Sequence, residues 1–270
     1  MKTFTATQNQ SLKDFTDCTY PQGGFCFAQL LKNKDIKVNG ARVSKNIALN
    51  AGDEVVYYTT PKQEGKKSHE AVFEDENIYI ADKLSGVNTE GLFCELKEKG
   101  EFYAVHRLDR NTQGLIVFAK NKSAEAELLS AFKQRRVNKT YIALCKNGFK
   151  ETGATLTAYL KKDEKASAVK VYDKEVLGSV KIITEYEVTE NRGDIALVKV
   201  TLHTGRTHQI RAHLAHIGCP VLGDEKYGDE VLNKKYGLKR QCLISKTLTF
   251  CLDGNLSYLN GKSFTSRFEL

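Results

Sequence analysis

Residues 106–120, HRLDRNTQGLIVFAK, constrain this chain more than any other stretch. Leu115 to Ala119 is an unbroken apolar run, the pattern of a strand of the buried type. Such a strand needs a core around it. Immediately before it lies a polar loop that gathers His106, Arg107, Asp109, Arg110, Asn111 and Thr112 at the strand's edge. A carboxylate set between two guanidiniums is favoured in its charged form. An ionised aspartate in a loop at a strand edge is a candidate nucleophile or base. By itself the signal is weak, because Arg–Asp neighbours more often form structural ion pairs.

With 270 residues, 41% of them hydrophobic, the chain can enclose such a strand in one large domain, or in one medium domain with a small appendage. The formal net charge of +8 favours a polyanionic partner, although lysines on a solvated face give the same count. Seven cysteines, none at CxxC spacing, read as reduced thiols in a cytoplasm. No histidine pair has HxxxH or HExxH spacing, so neither a catalytic nor a structural metal is expected. The polar start MKTFTATQNQ lacks the apolar stretch of a signal peptide, and no run is long enough to span a bilayer.

Three segments follow from the pattern. Residues 1–60 read as a small unit, with an amphipathic helix from Phe25 to Lys32, a strand entering a tight turn at Val38-Asn39-Gly40, a turn at Gly52-Asp53 and a strand from Val55 to Thr59. Residues 61–70, PKQEGKKSHE, are charged and contain Pro and Gly, as linkers do. Residues 71–270 form the large domain. After the Leu115–Ala119 strand, a helix is expected with Ser123 as N-cap, Glu125 and Glu127 in its first turn and Arg135-Arg136 near its end, an order that suits the helix dipole. A strand spans Asn138 to Leu144. Another spans Ile195 to His203, followed by a helix from His208 to Ile217 whose buried stripe is Ile210, Leu214 and Ile217; Gly218 and Pro220 end it.

Several of these blocks resemble one family. His106-Arg107-Leu108-Asp109, with Thr112, Gly114 and Leu115, is similar to the signature of the RluA family of pseudouridine synthases, with Gln113 where serine is usual. Lys139-Thr140-Tyr141 resembles that family's Lys-x-Tyr motif. TGRTHQIRAHLAHIGCPVLGDEKYG, residues 204–228, resembles its Gly-Arg-Thr-His-Gln-Ile-Arg-x-His motif and the Gly-Asp-x-x-Tyr-Gly that follows. Tyr79 to Gly86 is a weaker likeness, with Leu84 in place of proline. Leu30-Leu31-Lys32, Ile36 to Gly40 and Gly52-Asp53-Glu54-Val55 resemble the αL RNA-binding domain found beside many such enzymes.

The resemblance implies an α+β catalytic domain with a mixed, largely antiparallel central sheet and flanking helices, plus a small N-terminal αL domain. It implies a cofactor-free isomerisation of uridine in structured RNA. The bond between uracil and ribose is cleaved, the base rotates, and a carbon–carbon bond forms at carbon 5. Asp109 is then the catalytic carboxylate, acting as nucleophile on sugar or base, or as a base at the 2′ carbon. Tyr141 stacks on the target base, and Arg211 pairs with Asp109. Arg206 and His208 shape the site or touch phosphate, Leu243 packs under the base, His106 belongs to the substrate loop, and Arg107 fills the space left when the uridine flips out. Lys32, Lys34, Lys37, Arg42 and Lys45 supply the RNA-binding charge of the N-terminal unit. By the same analogy the substrate is large-subunit ribosomal RNA first and tRNA second, and the enzyme acts as a monomer without an obligatory protein partner or membrane. The rival readings are a non-catalytic RNA-binding or ribosome-assembly protein of the same fold, a base glycosylase and, more remotely, a DNA-binding regulator.

Overall fold

A computed structural model describes residues 1–163 and 168–270. The N-terminal portion contains β1 (Lys2–Thr5), β2 (Gln10–Ser11), α1 (Leu12–Thr19), α2 (Pro21–Phe25), α3 (Phe27–Asn33), β3 (Ile36–Val38), β4 (Ala41–Val43), β5 (Ala48–Leu49), β6 (Glu54–Tyr57) and α4 (Pro61–Glu64). Four of the strands form an antiparallel sheet in the order β1-β6-β3-β4. Leu12, Phe15, Leu30, Ile36, Val55 and Tyr57 fill the core beneath it. The helix expected over Phe25–Lys32 is broken at Cys26, whose N–H turns back to the Gly23 carbonyl, giving α2 and α3. The stretch read as a linker holds the single-turn α4, closed by a Thr60–Gln63 capping box, and a strand already begins at His69.

The remainder runs β7 (His69–Glu74), β8 (Ile78–Lys83), α5 (Thr89–Lys97), β9 (Tyr103–Ala104), β10 (Gln113–Ala119), α6 (Lys122–Lys133), β11 (Val137–Lys146), β12 (Gly153–Asp163), β13 (Ala168–Tyr172), β14 (Val180–Arg192), β15 (Ile195–Leu202), α7 (Gln209–His216), α8 (Glu230–Lys235), β16 (Leu243–Phe250) and β17 (Ser263–Thr265). Among the described residues these strands make one mixed sheet, ordered β13-β12-β14-β15-β11-β16-β10-β8-β7, with β17 on β16 and β9 on β10. Every pairing is antiparallel except β10 with β16.

The apolar run of β10 is explained by where it sits. Ile116 and Phe118 enter one core with Tyr79, Tyr141 and Val198; Leu115, Val117 and Ala119 enter the other, with Leu128 of α6, Leu248 and Phe250. A strand buried on both faces cannot alternate polar with apolar. Gly114 opens it with φ +107°, and a Cβ there would stand 2.4 Å from the Ser245 carbonyl oxygen, so the parallel contact with β16 requires glycine. The N-cap of α6 is Asn121 rather than Ser123: Asn121 Oδ1 accepts the Ala124 N–H at 2.9 Å. Among the described residues no helix is long and apolar enough to cross a membrane.

Candidate active site

The loop between β9 and β10 is anchored on several sides, which leaves the Asp109 side chain free to project. Thr89, at the start of α5, donates its hydroxyl to the Leu108 carbonyl (3.0 Å) and accepts the Leu108 N–H (3.1 Å). Thr112 accepts a hydrogen bond from Gln241 Nε2 at 2.9 Å. Lys83, wholly buried at the end of β8, donates to the carbonyls of Val87 (2.7 Å) and Arg110 (3.1 Å). Burial pulls the Lys83 ammonium down to about 7, against the opposing pull of Asp109. His106 Nε2 accepts the Val117 N–H at 3.0 Å and its ring stacks on Phe132, 4.5 Å between centroids. Burial holds His106 down at about 3, so it is a neutral ring in the cavity wall.

The arginines beside Asp109 in sequence are not its partners in space. Arg107 turns outward to Glu90 (3.2 Å), and Arg110 reaches Asp17 of α1 (2.7 Å). The partner is Arg211 of α7, whose Nη1 lies 2.9 Å from Asp109 Oδ2. The helix forms as its apolar spacing requires, but it buries more than one stripe: Gln209, Arg211, Ala212 and His213 are enclosed along with Ile210 and Leu214, while Ile217 is only half-buried. Gln209 ties down the entering loop, accepting from the Thr204 hydroxyl and the Arg206 N–H and donating to Ile183 and Thr184.

Arg211 spends its other two donor groups on Asp224: Nε to Oδ2 at 2.6 Å and Nη2 to Oδ1 at 2.9 Å. Burial would raise the Asp224 carboxyl, but Arg211 and the backbone N–H groups of Lys226 and Tyr227 outweigh it and hold the group below its ordinary value. Burial would likewise lower Arg211, yet the two carboxylates raise it.

His208 precedes α7 in the left-handed region, at φ 55°. Such backbone at a non-glycine residue is uncommon and gathers at functional sites. Tyr227 Oη accepts the Val169 N–H at 2.8 Å, so its own proton is available to His208 Nδ1 at 2.9 Å. That leaves His208 Nε2–H facing Asp109 Oδ2 at 4.0 Å. Burial lowers the His208 imidazole, with Asp109 pulling the other way.

A cavity of about 310 Å³ is lined by His106, Arg107, Asp109, Tyr141, Arg206, His208, Arg211 and Leu243, so the structure brings together every large-domain residue the sequence proposed. Tyr141 stands at a register shift in the β11–β16 pairing, between Val200 and Ser245, and Leu243 opens β16. Irregularities of this kind re-aim side chains next to sites. Burial raises the Tyr141 phenol, the nearby Ser245 hydroxyl opposing and Asp109 adding to the rise. Lys139 and Phe132 also stand in the wall. The N-terminal group lies outside this cavity: Lys32 on α3, Lys34 at its C-cap, Lys37 and Arg42 on the β3–β4 hairpin, and Lys45 just after it. Sequence reasoning gave no role to Asp224, Tyr227, Lys83, Thr89 or Gln241. Asp224 and Tyr227 stood inside a quoted motif, but nothing in their spacing revealed what they hold. Among the described residues, no group of three or more His, Cys, Asp and Glu is arranged to hold a metal ion.

The RNA pseudouridylate synthase family model matches residues 57–216, more than half of the chain. An uncharacterized RNA pseudouridine synthase of Aquifex aeolicus is 31% identical over 249 residues, covering 82% of this chain and 78% of that protein. The ribosomal large subunit pseudouridine synthase C of Vibrio cholerae is 29% identical over 251 residues, with the same coverage of 82% and 78%. Human RNA Pseudouridylate Synthase Domain Containing 4 shares the fold, with a TM-score of 0.62 and 22% identity over 74% of this chain and 88% of that one. These likenesses define the class, an enzyme that isomerises uridines in RNA. The chain belongs to the RNA pseudouridylate synthase family, and within it to the RluA type.

Proposed function

We propose that this pseudouridine synthase modifies uridines of large-subunit ribosomal RNA and that Asp109 is the residue that carries the reaction. The observation that supports this most is the Asp109–Arg211 contact of 2.9 Å at the wall of an open cavity. A carboxylate held by one charge-assisted hydrogen bond stays aimed while its other oxygen remains available to substrate. The Vibrio cholerae relative, a ribosomal large subunit enzyme by name, supports the choice of RNA.

In this reading the target uridine leaves its stack and enters the cavity, with Tyr141 against one face of the base and Leu243 beneath it. Tyr141, with its phenol raised, works as a protonated ring and hydroxyl. Arg211 keeps Asp109 oriented. His208 offers Nε2–H beside Asp109 to a substrate oxygen, Arg206 meets phosphate, and Arg107, exposed at the rim, takes the space the base vacates. The large domain, which begins with β7 at His69, is the catalytic domain. Residues 1–60 are an αL-type RNA-binding unit in which Lys32, Lys34, Lys37, Arg42 and Lys45 contact phosphates; Lys37 and Arg42 both lie over the Tyr58 ring, at 5.6 and 5.4 Å. The protein works as a cytoplasmic monomer.

Carbodiimide mapping of RNA from cells with and without the gene tests this. A uridine in large-subunit ribosomal RNA should lose its label in the deletion strain and regain it with the wild-type gene, but not with Asp109→Asn. A signal confined to tRNA would overturn the substrate, and full turnover by Asp109→Asn would overturn the role of Asp109.

A further inference from the structure

A second cavity, about 570 Å³ and larger than the first, lies where the N-terminal portion meets the catalytic loops. Its walls are Gly24-Phe25, Lys66-Lys67, the Leu84–Gly86 turn, Arg110-Asn111, Gly223 with Glu225, and Lys239-Arg240. Five of these residues are basic and one is acidic. Arg110 and Lys67 are engaged, with Asp17 at 2.7 Å and Glu70 at 3.5 Å. Lys66, Lys239 and Arg240 are exposed and, among the described residues, enter no ion pair. Like charges left unneutralised around one concave wall repel each other and attract anions.

The two cavities draw on neighbouring residues of the same segments. Asp109 faces the first cavity and Arg110 the second. Asp224 clasps Arg211, while its neighbours Gly223 and Glu225 line the second cavity. Gln241 bonds Thr112 in the first, and Arg240 lines the second. The crossing is tight: a Cβ on Gly223, at φ +71°, would fall 1.8 Å from the Arg240 carbonyl oxygen.

We propose that this second cleft is a phosphate-binding site for the substrate RNA, gripping the sugar–phosphate backbone of a strand other than the nucleotide that enters the catalytic cavity. The inference rests on the reading of the chain as an RNA-modifying enzyme. It deepens that reading by naming Lys66, Lys239 and Arg240 as the residues that contact the backbone. Extruding a uridine costs a few kcal/mol of stacking and pairing, and contacts remote from the base must offset that cost. Cations without protein partners do so at low cost, because no existing ion pair has to open.

The test uses the full chain and a transcript of large-subunit ribosomal RNA. Binding is measured against salt, and single-turnover pseudouridine formation at saturating enzyme, for wild type and for Lys66→Gln/Lys239→Gln/Arg240→Gln. Losing three single-strand phosphate contacts should flatten the log–log salt slope by about 2 and weaken binding about a hundredfold near 0.1 M salt. The saturated rate should stay within about threefold. The three single variants, each expected to remove about 0.7 of slope, keep the test readable if the triple variant melts early. An unchanged slope and affinity in all of them overturns the proposal. The wild-type arm separates the two readings: wild type that binds the transcript but forms no pseudouridine refutes the substrate assignment, while the variants still report on the cleft.

Discussion

Asp224, fully buried, grips Arg211 through two near-parallel hydrogen bonds, 2.6 Å from Nε and 2.9 Å from Nη2, leaving Nη1 for Asp109. The guanidinium is planar, so orienting one edge orients the other. Asp224→Asn keeps the shape but removes the buried charge. It should cost about 3 kcal/mol in urea unfolding. It should also lower kcat by ten- to hundredfold, about 1.4 to 2.7 kcal/mol, with KM for RNA little changed. A variant that is destabilised yet turns over at the wild-type rate, once corrected for folded fraction, would show that Asp224 serves stability alone.

Tyr141 offers a ring and a hydroxyl, and substitution separates them. Tyr141→Phe preserves the stacking face, so KM should stay within about twofold. Tyr141→Leu fills the space without an aromatic face and should lose stacking worth about 1–3 kcal/mol, raising KM by roughly five- to hundredfold. Steady-state kinetics on the same transcript decides this. Equal KM for the two variants would exclude a stacking role.

Acid stability should be set in part by two imidazoles held neutral in the fold, the half-buried His106 of the cavity wall and the buried His213. Burial holds His106 at about 3 and His213 at about 4, the latter with Nδ1 bonded to Thr184 Oγ1 at 2.9 Å. Unfolded histidine titrates near 6.5. Between these values the unfolded chain binds more protons than the folded one, so stability is full above about pH 6.5 and falls as pH drops. Two such groups give a slope approaching about 2 kcal/mol per pH unit between pH 6 and about 4.5. Urea midpoints across this range should show it, and His213→Gln should roughly halve the slope. A flat profile would mean that these rings take up protons without unfolding.

Gly114→Ala should be among the most disruptive single-methyl changes in the catalytic domain. Its Cβ would meet the Ser245 carbonyl oxygen at 2.4 Å from a backbone at φ +107°. The strand contact must open, at a cost of about 2 kcal/mol or more. Because the same residue joins the Asp109 loop to β10, turnover should fall as well. A melting temperature within about 2 °C of wild type would show that the β10–β16 contact yields easily.

The local patterns read well from sequence. LIVFA in β10 announces a strand covered on both faces, and the 3.6-residue spacing of Ile210 and Leu214 announces α7. Short elements of low apolar content escaped: β1, reading KTFT, is four residues long, and α1, reading LKDFTDCT, has an amphipathic face but only Leu12 and Phe15 as large apolar residues on it. Their partners lie elsewhere in the chain: β1 pairs with β6, and α1 packs against α5. The helix after β10 is capped two residues before Ser123, because Asn121 and Ser123 are both good caps and only the backbone dihedrals choose between them.

What the sequence determined by itself was the set of reacting-type side chains and the elements that carry them: an aspartate in a polar loop before a buried strand, a tyrosine on a strand, a basic helix after a turn. Tertiary structure decided the pairing. Arg107 and Arg110, adjacent to Asp109 along the chain, face Glu90 and Asp17, whereas Arg211, far away in sequence, completes the contact and is itself held by Asp224. Local propensity depends on a few neighbouring residues, but an ion pair depends on which backbones the packed sheet brings within about 3 Å, and that is fixed only when the whole core closes.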